Sequence, residues 1–152
     1  MNHIKNYIKV NDSIATSGQP SREDFPEIAN AGYSAVVNLA TGTSLDAIPD
    51  EGEVATGEGM AYYHIPVMWT APAIPDLDRF FSVMDSLGGE KVWVHCVLNM
   101  RASAFVYLYR LISLGVPEEE ARGPMDEVWE PDEIWQGFID LAKEIYLSSE
   151  ED

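Results

Sequence analysis

Short dense apolar runs alternate along this chain with longer stretches of helical spacing. Ser13–Ser17 (SIATS) predicts a short strand, broken by Gly18-Gln19-Pro20. Ser21 then offers an N-cap with Asp24 three residues on as a partial capping box, and Arg22–Ala31 reads as a helix closed by Gly32. Pro26 falls in its first turns, where proline is tolerated best. Ser34–Leu39 (SAVVNL) is apolar and β-branched between turn residues, the pattern of a buried strand. Residues 41–59 hold five glycines or prolines and several acids, which predicts loop with a helical turn or two. Ala61–Val67 predicts another strand and Trp69–Pro75 a proline-rich loop. Asp76–Leu87 sets Leu77, Phe80, Phe81 and Met84 at helical spacing ahead of Gly88-Gly89. Lys91–His95 (KVWVH) is a further strand, interrupted by Cys96–Arg101 and followed by an apolar helix over residues 102–114. After Gly115-Val116-Pro117 come a short helix at Glu118–Arg122 and an amphipathic helix at Asp132–Ser149. The second is expected to carry an apolar face of Ile134, Phe138, Leu141 and Ile145, to be capped by Asp132, and to fray at Glu150–Asp152. Strands alternating with helices predict an α/β fold with a mainly parallel central sheet flanked by helices. Ligands of such sheets sit beyond the carboxyl ends of the strands.

Composition narrows the partners. The 152 residues fit a single domain over 1–152, with a core of about 12–147. Twenty-six Asp and Glu against nine Lys and Arg give a net charge of −17, a field that repels nucleic acid and anionic lipid. No apolar run reaches the length of a membrane span. The lone cysteine excludes an internal disulfide. The expectation is a soluble, cytoplasmic protein, or a periplasmic one if a leader has been removed; the sequence leaves the oligomeric state open. A small anionic substrate or phosphorylated ligand would need a local positive pocket within this field.

The loop His95-Cys96-Val97-Leu98-Asn99-Met100-Arg101 is the place for such a pocket. It lies between an apolar strand and an apolar helix, whose first turn offers backbone N–H groups and the positive end of the dipole. Both favour a thiolate at Cys96, and Arg101 brings a planar fork suited to an oxyanion. A lone cysteine is commonly just a core residue; here the strand–His–Cys–loop–Arg–helix order favours an anion-binding nucleophile. His95 is a candidate base or ligand, with loop ordering through hydrogen bonds the favoured role. His64 reads as a satisfied core histidine and His3 as uninformative. No metal-ligand spacing and no nucleotide loop occur, so no metal or cofactor is expected.

Val-His-Cys followed by Arg and Ser103 resembles the signature loop of the protein tyrosine phosphatase and dual-specificity phosphatase superfamily. More narrowly, the chain resembles a bacterial branch of small phosphatase-like proteins whose members are also found fused to β-lactamase-fold, persulfide-dioxygenase-type domains. SGQP (17–20), AGYSAVVNL (31–39), YYHIPV (62–67) and HCVLNMRASAF (95–105) carry the likeness, which spans roughly residues 12–142. It implies Cys96 as nucleophile, Arg101 as anion clamp, cradle amides from Val97, Leu98, Asn99 and Met100, and Ser103 assisting departure of the thiolate. Gln19 would approach the pocket.

Two departures separate the chain from that pattern. Four residues stand between Cys96 and Arg101 where the superfamily has five, and Asn99 stands where a glycine is common. The shorter spacing is similar to that of rhodanese sulfurtransferases, which hold a cysteine persulfide. The usual general-acid Asp after the strand ending in HIPV is replaced by Met68, Trp69 and Thr70. Asp76 and Asp78 are the nearest candidate acids, with a helix cap and an exposed helix face as their ordinary roles. Trp69 is a candidate for the pocket mouth, and Trp93, Trp129 and Trp135 for packing. The leading expectation is a cysteine-dependent phosphatase; a sulfurtransferase with a persulfide on Cys96 and an inert anion-binding module are the alternatives.

Overall fold

The computed structural model describes residues 1–147. Five strands form one sheet: β1 (Ile8–Lys9), β2 (Ile14–Ser17), β3 (Ala35–Asn38), β4 (Ala61–His64) and β5 (Val92–His95). The helices are α1 (Asp24–Asn30), α2 (Glu51–Gly57), α3 (Ile74–Leu87), α4 (Met100–Ile112), α5 (Glu118–Asp126) and α6 (Glu133–Leu147). The sheet order is β1-β2-β5-β3-β4, antiparallel only at the β1 edge and parallel elsewhere. The α/β expectation with a mainly parallel sheet is met. β5 is central, and its last residue His95 is in register with Ser17 on one side and Asn38 on the other. The row of strand ends therefore presents the loop after β5 between two neighbours.

Side-chain alternation along β5 divides the molecule. Val92, Val94 and Cys96 point into the larger core with Leu77, Phe80 and Met84 of α3, Phe105 and Leu108 of α4, and Trp135 and Phe138 of α6. Trp93 points into the smaller core with Ala15, Val36, Phe25 and Ile28 of α1, and Ala55 of α2. Because α4 lies between the sheet and other helices, every residue from Arg101 to Arg110 is buried. Among the described residues no helix is long and apolar enough to cross a membrane.

Several local expectations shift. β1 is two residues long, too short to leave a periodic signal. Ser21 is not the cap of α1: the helix begins at Asp24, whose Oδ2 accepts the Ser21 amide at 2.8 Å, half of a capping box closed over a preceding turn. α3 starts at Ile74, so Asp76 lies inside the first turn beside Arg79 rather than at the cap. α5 runs on through Pro124 to Asp126. The Glu120 carbonyl, which a proline at that position cannot serve, accepts Arg110 Nη1 at 3.5 Å. On α6 the buried stripe is Trp135, Phe138, Ile139 and Ala142, while Ile134, Leu141 and Ile145 are about half exposed. Two apolar stripes compete on that helix, and the one bearing the indole wins because it fills the space beside Phe105. Asp132 does cap α6, accepting the Trp135 amide at 2.8 Å. Glu150–Asp152 lie outside the described residues. His64 is exposed on the edge strand β4 rather than in the core, with Nε2 donating to the Ala40 carbonyl at 2.6 Å.

Gly18 has a role beyond ending β2. A Cβ there would stand 2.4 Å from the Val97 carbonyl oxygen, and Gly18 bridges to Leu98. Glycine is needed because the backbone of the Cys96 loop passes against it. Gly18→Ala is expected to push that loop away and to cost about 1–3 kcal/mol, the range for overpacking a close contact, read as a lowered urea midpoint at unchanged m-value.

Candidate active site

The parallel sheet ends in a turn that begins at Cys96, and Asn99 makes that turn possible. Its φ of 70° is left-handed, a conformation Asn reaches more readily than other non-glycine residues. The Asn99 side chain also acts as a strut, with Nδ2 donating to the Asn6 carbonyl at 2.8 Å and to Thr16 Oγ1 at 2.9 Å. Asn99→Val is expected to lose both bonds and to strain the backbone, lowering stability by about 2–3 kcal/mol. Asn99→Gly should recover the backbone part of that loss, and paired denaturation curves check the split.

The loop carbonyls are held from outside the turn. The Cys96 oxygen is met by His95 Nδ1 at 3.2 Å, the Val97 oxygen by the Gln19 amide at 3.0 Å, and the Leu98 oxygen by Asn6 Nδ2 at 2.9 Å. All peptides among the described residues are trans, and a trans peptide points its N–H opposite to its C=O. The N–H groups of Val97 and Leu98 therefore turn away from those partners. α4 adds a first turn whose N–H groups lack intrahelical acceptors. The Ala102 amide lies 3.5 Å from Cys96 Sγ.

Cys96 is 1% exposed and lines a cavity of about 340 Å³ together with Trp69, Val97, Leu98, Met100 and Arg101. Arg101 is buried, with Nη1 donating to the Val67 carbonyl at 2.8 Å, so the residues after β4 hold the guanidinium at the cavity. Trp69 is backed by two further indoles: its ring centroid lies 5.5 Å from that of Trp129 and 5.7 Å from that of Trp135, and Trp135 Nε1 donates to the Trp69 carbonyl at 2.9 Å.

The remaining candidates fall elsewhere. Ser103 Oγ donates to the Met100 carbonyl at 3.0 Å and accepts Trp129 Nε1 at 3.1 Å, tying α4 to the segment before α6. Neither Asp76 nor Asp78, both in the first turns of α3, lines the cavity. Gln19 borders a separate cavity with Arg22 and Asp46; it approaches the loop through its backbone amide and from the outer side. His95 is fully buried on the α2 face of the sheet, because strand alternation sends it opposite to Cys96. His3 pairs with Asp24 at 2.9 Å and Glu27 at 3.2 Å, away from the cavity.

What the sequence did not single out is Glu51. It is the first residue of α2, 3% exposed, with Oε2 2.6 Å from His95 Nε2 and Oε1 accepting Gln19 Nε2 at 2.8 Å. Burial pushes its carboxyl pKa up, but the His95 bond and charge, with bonds from Gln19 and Tyr62, outweigh this and hold it below the usual range. Tyr62, itself bonded by Asn38 Nδ2 at 3.1 Å, has its phenol pKa pushed up, chiefly by burial and also by the nearby Glu51 charge. An acid buried in a glycine-rich, acidic loop leaves no sequence signal, because its partners Gln19, Tyr62 and His95 come from three other segments.

No family model matches the chain. A "Beta-lactamase hydrolase-like protein" of Xylella fastidiosa is 28% identical over 116 residues, 74% of this chain. The chain spans about a quarter of that curated relative, 27% of its length. PTPMT1 in complex with PI(5)P superposes with a TM-score of 0.79 over 95% of this chain and 98% of that one, at 10% identity, a likeness of fold. A DUF442 protein of Shewanella putrefaciens CN-32, named as a candidate phosphatase, superposes with a TM-score of 0.86. It is 35% identical, and the match covers 95% of each chain. With that degree of identity over nearly its whole length, the chain belongs to the DUF442 family of the Shewanella protein.

Proposed function

We propose that this protein hydrolyses phosphoric monoesters through a covalent intermediate on Cys96. The observation that carries the reading is the placement of Cys96 Sγ at the cavity, under the first turn of α4 with the Ala102 amide at 3.5 Å and Arg101 beside it. The phosphatase assignment of the Shewanella relative supports it. The ligand is a small phosphorylated molecule, whose phosphoryl oxygens take the loop amides and the free part of the Arg101 fork. The Cys96 thiolate attacks phosphorus; an S–P bond forms as the ester P–O bond breaks and its electron pair leaves with the alcohol oxygen. Water then attacks phosphorus, the S–P electron pair returns to sulfur, and phosphate leaves with the water proton. No Asp or Glu lines the cavity among the described residues, so the leaving oxygen takes its proton from solvent. Substrates with stable leaving anions are therefore favoured, because the factor of about 10²–10⁴ that a positioned acid supplies is missing. Val97, Leu98, Met100 and Trp69 give the cavity an apolar wall for the body of the ester.

The test is phosphate release from p-nitrophenyl phosphate, with acid quenching and mass spectrometry of the Cys96 peptide. A phosphoryl adduct on Cys96 together with phosphate release supports the reading. Thiocyanate production from thiosulfate and cyanide without phosphate release overturns it in favour of sulfur transfer. Silence in both assays with retained phosphate binding overturns it in favour of an anion-binding module.

A further inference from the structure

Behind the loop lies a buried carboxylate, Glu51, that does not line the cavity. We infer that Glu51 is a positioning residue: it holds the His95 ring so that Nδ1 pins the Cys96 carbonyl, and thereby sets the direction of the Val97 N–H in the anion cradle. The inference rests on the phosphatase reading for its catalytic consequence, but not for its geometry.

Three observations carry it. The Cys96 carbonyl can only accept, so the 3.2 Å contact needs a proton on Nδ1. The Glu51 carboxyl is held below the usual pKa range and accepts, so the 2.6 Å contact needs a proton on Nε2. His95 thus donates from both nitrogens, and its ring orientation is set by two fixed acceptors rather than by shape alone. Glu51 also accepts from Gln19 Nε2 at 2.8 Å, and the Gln19 amide holds the Val97 carbonyl at 3.0 Å. One carboxylate therefore governs two consecutive loop carbonyls, Cys96 through His95 and Val97 through the Gln19 turn. Peptide planarity turns that grip into the orientation of the Val97 and Leu98 N–H groups. The residue sits at the first turn of α2, across the sheet from Cys96, and borders a second cavity with Asn38, Tyr62 and His64. None of these lines the Cys96 cavity, so the carboxylate acts through the backbone and not on substrate.

Glu51→Gln keeps the size and one acceptor but loses the charge. The expected result is a fall in kcat of about 10–100-fold, by analogy with the loss seen when groups that orient a metal ligand are removed, with KM for p-nitrophenyl phosphate changed little. The second readout needs no activity: ¹⁵N NMR of the His95 ring should show two protonated nitrogens in the wild type and one in Glu51→Gln, with the Val97 amide resonance moving in step. Glu51→Asp, which restores the charge on a shorter arm, should recover part of both signals. Wild-type spectra with a single ring proton on His95 would overturn the inference, as would Glu51→Gln spectra identical to wild type. A wild type that releases no phosphate but shows the two ring protons and the Val97 shift would sink the phosphatase reading and leave the clamp intact. If Glu51→Gln does not fold, Gln19→Leu, which removes one arm of the grip, should move the Val97 resonance alone; an unmoved Val97 resonance would count against it.

Discussion

Cys96→Ser is expected to abolish turnover of p-nitrophenyl phosphate, with kcat reduced on the order of 10⁴-fold or more. The reason is chemical rather than structural. Serine is nearly the same size, and its oxygen can take the Ala102 amide that lies 3.5 Å from Sγ. A hydroxyl without a partnering base is a far weaker nucleophile than a thiolate. No base stands ready, since His95 faces the other side of the sheet and neither Asp76 nor Asp78 borders the cavity. The fold should therefore survive, with stability changed by about 1 kcal/mol. Phosphate should still bind by calorimetry, because the loop amides and Arg101 are untouched. Residual turnover within tenfold of wild type would remove Cys96 from the chemistry. Lost phosphate binding together with an altered circular dichroism spectrum would instead mean that the sulfur is needed for packing.

Glu51→Ala should be the most destabilising single change among the polar residues discussed above, at about 3–5 kcal/mol near neutral pH, the range for breaking a buried ion pair. It leaves His95 Nε2 and Gln19 Nε2 without their shared acceptor in a closed environment. The dependence on pH has a definite sign. The carboxyl pKa is depressed in the folded protein by His95, Gln19 and Tyr62 against the opposing effect of burial. Its contribution is thus complete above the unfolded value of about 4.3 and is lost as pH falls through the lower folded value. Urea denaturation of wild type and Glu51→Ala should show a large gap at neutral pH that closes on acidification below about pH 4. A gap that stays constant across that range would mean the loss comes from packing and not from the carboxylate.

The spacing of apolar residues and of the turn residues between them determined the fold class. The strands at Ile14–Ser17, Ala35–Asn38, Ala61–His64 and Val92–His95 all stand where apolar β-branched or aromatic runs lie between turn residues. The loop from Cys96 to Arg101 was legible for the same local reason: one cysteine between a strand and a helix has a defined place beyond the carboxyl end of that strand. Left-handed backbone at Asn99 is likewise consistent with the residue type found there.

Other features depend on which segments meet. The buried α6 stripe is one residue out of phase with the expected one because Ile134, Phe138, Leu141 and Ile145 satisfy helical spacing as well as the buried set does. Only contact with α4 chooses between them. Gly18 looks like an ordinary strand breaker until the Val97 carbonyl is seen against it. Asp76 and Asp78 are the nearest carboxylates after the strand ending in HIPV, yet neither lines the cavity.

What the sequence alone determined, then, is a parallel α/β domain with a cysteine loop at the end of one strand, because period-two and helical spacing are local properties. The tertiary structure decided that this strand is the central one, that Trp69 forms a wall, and that Glu51 stands behind His95. Those facts depend on long-range pairing between α2, β5 and the segment after β2, and a buried hydrogen bond between distant segments has no spacing along the chain by which to be read.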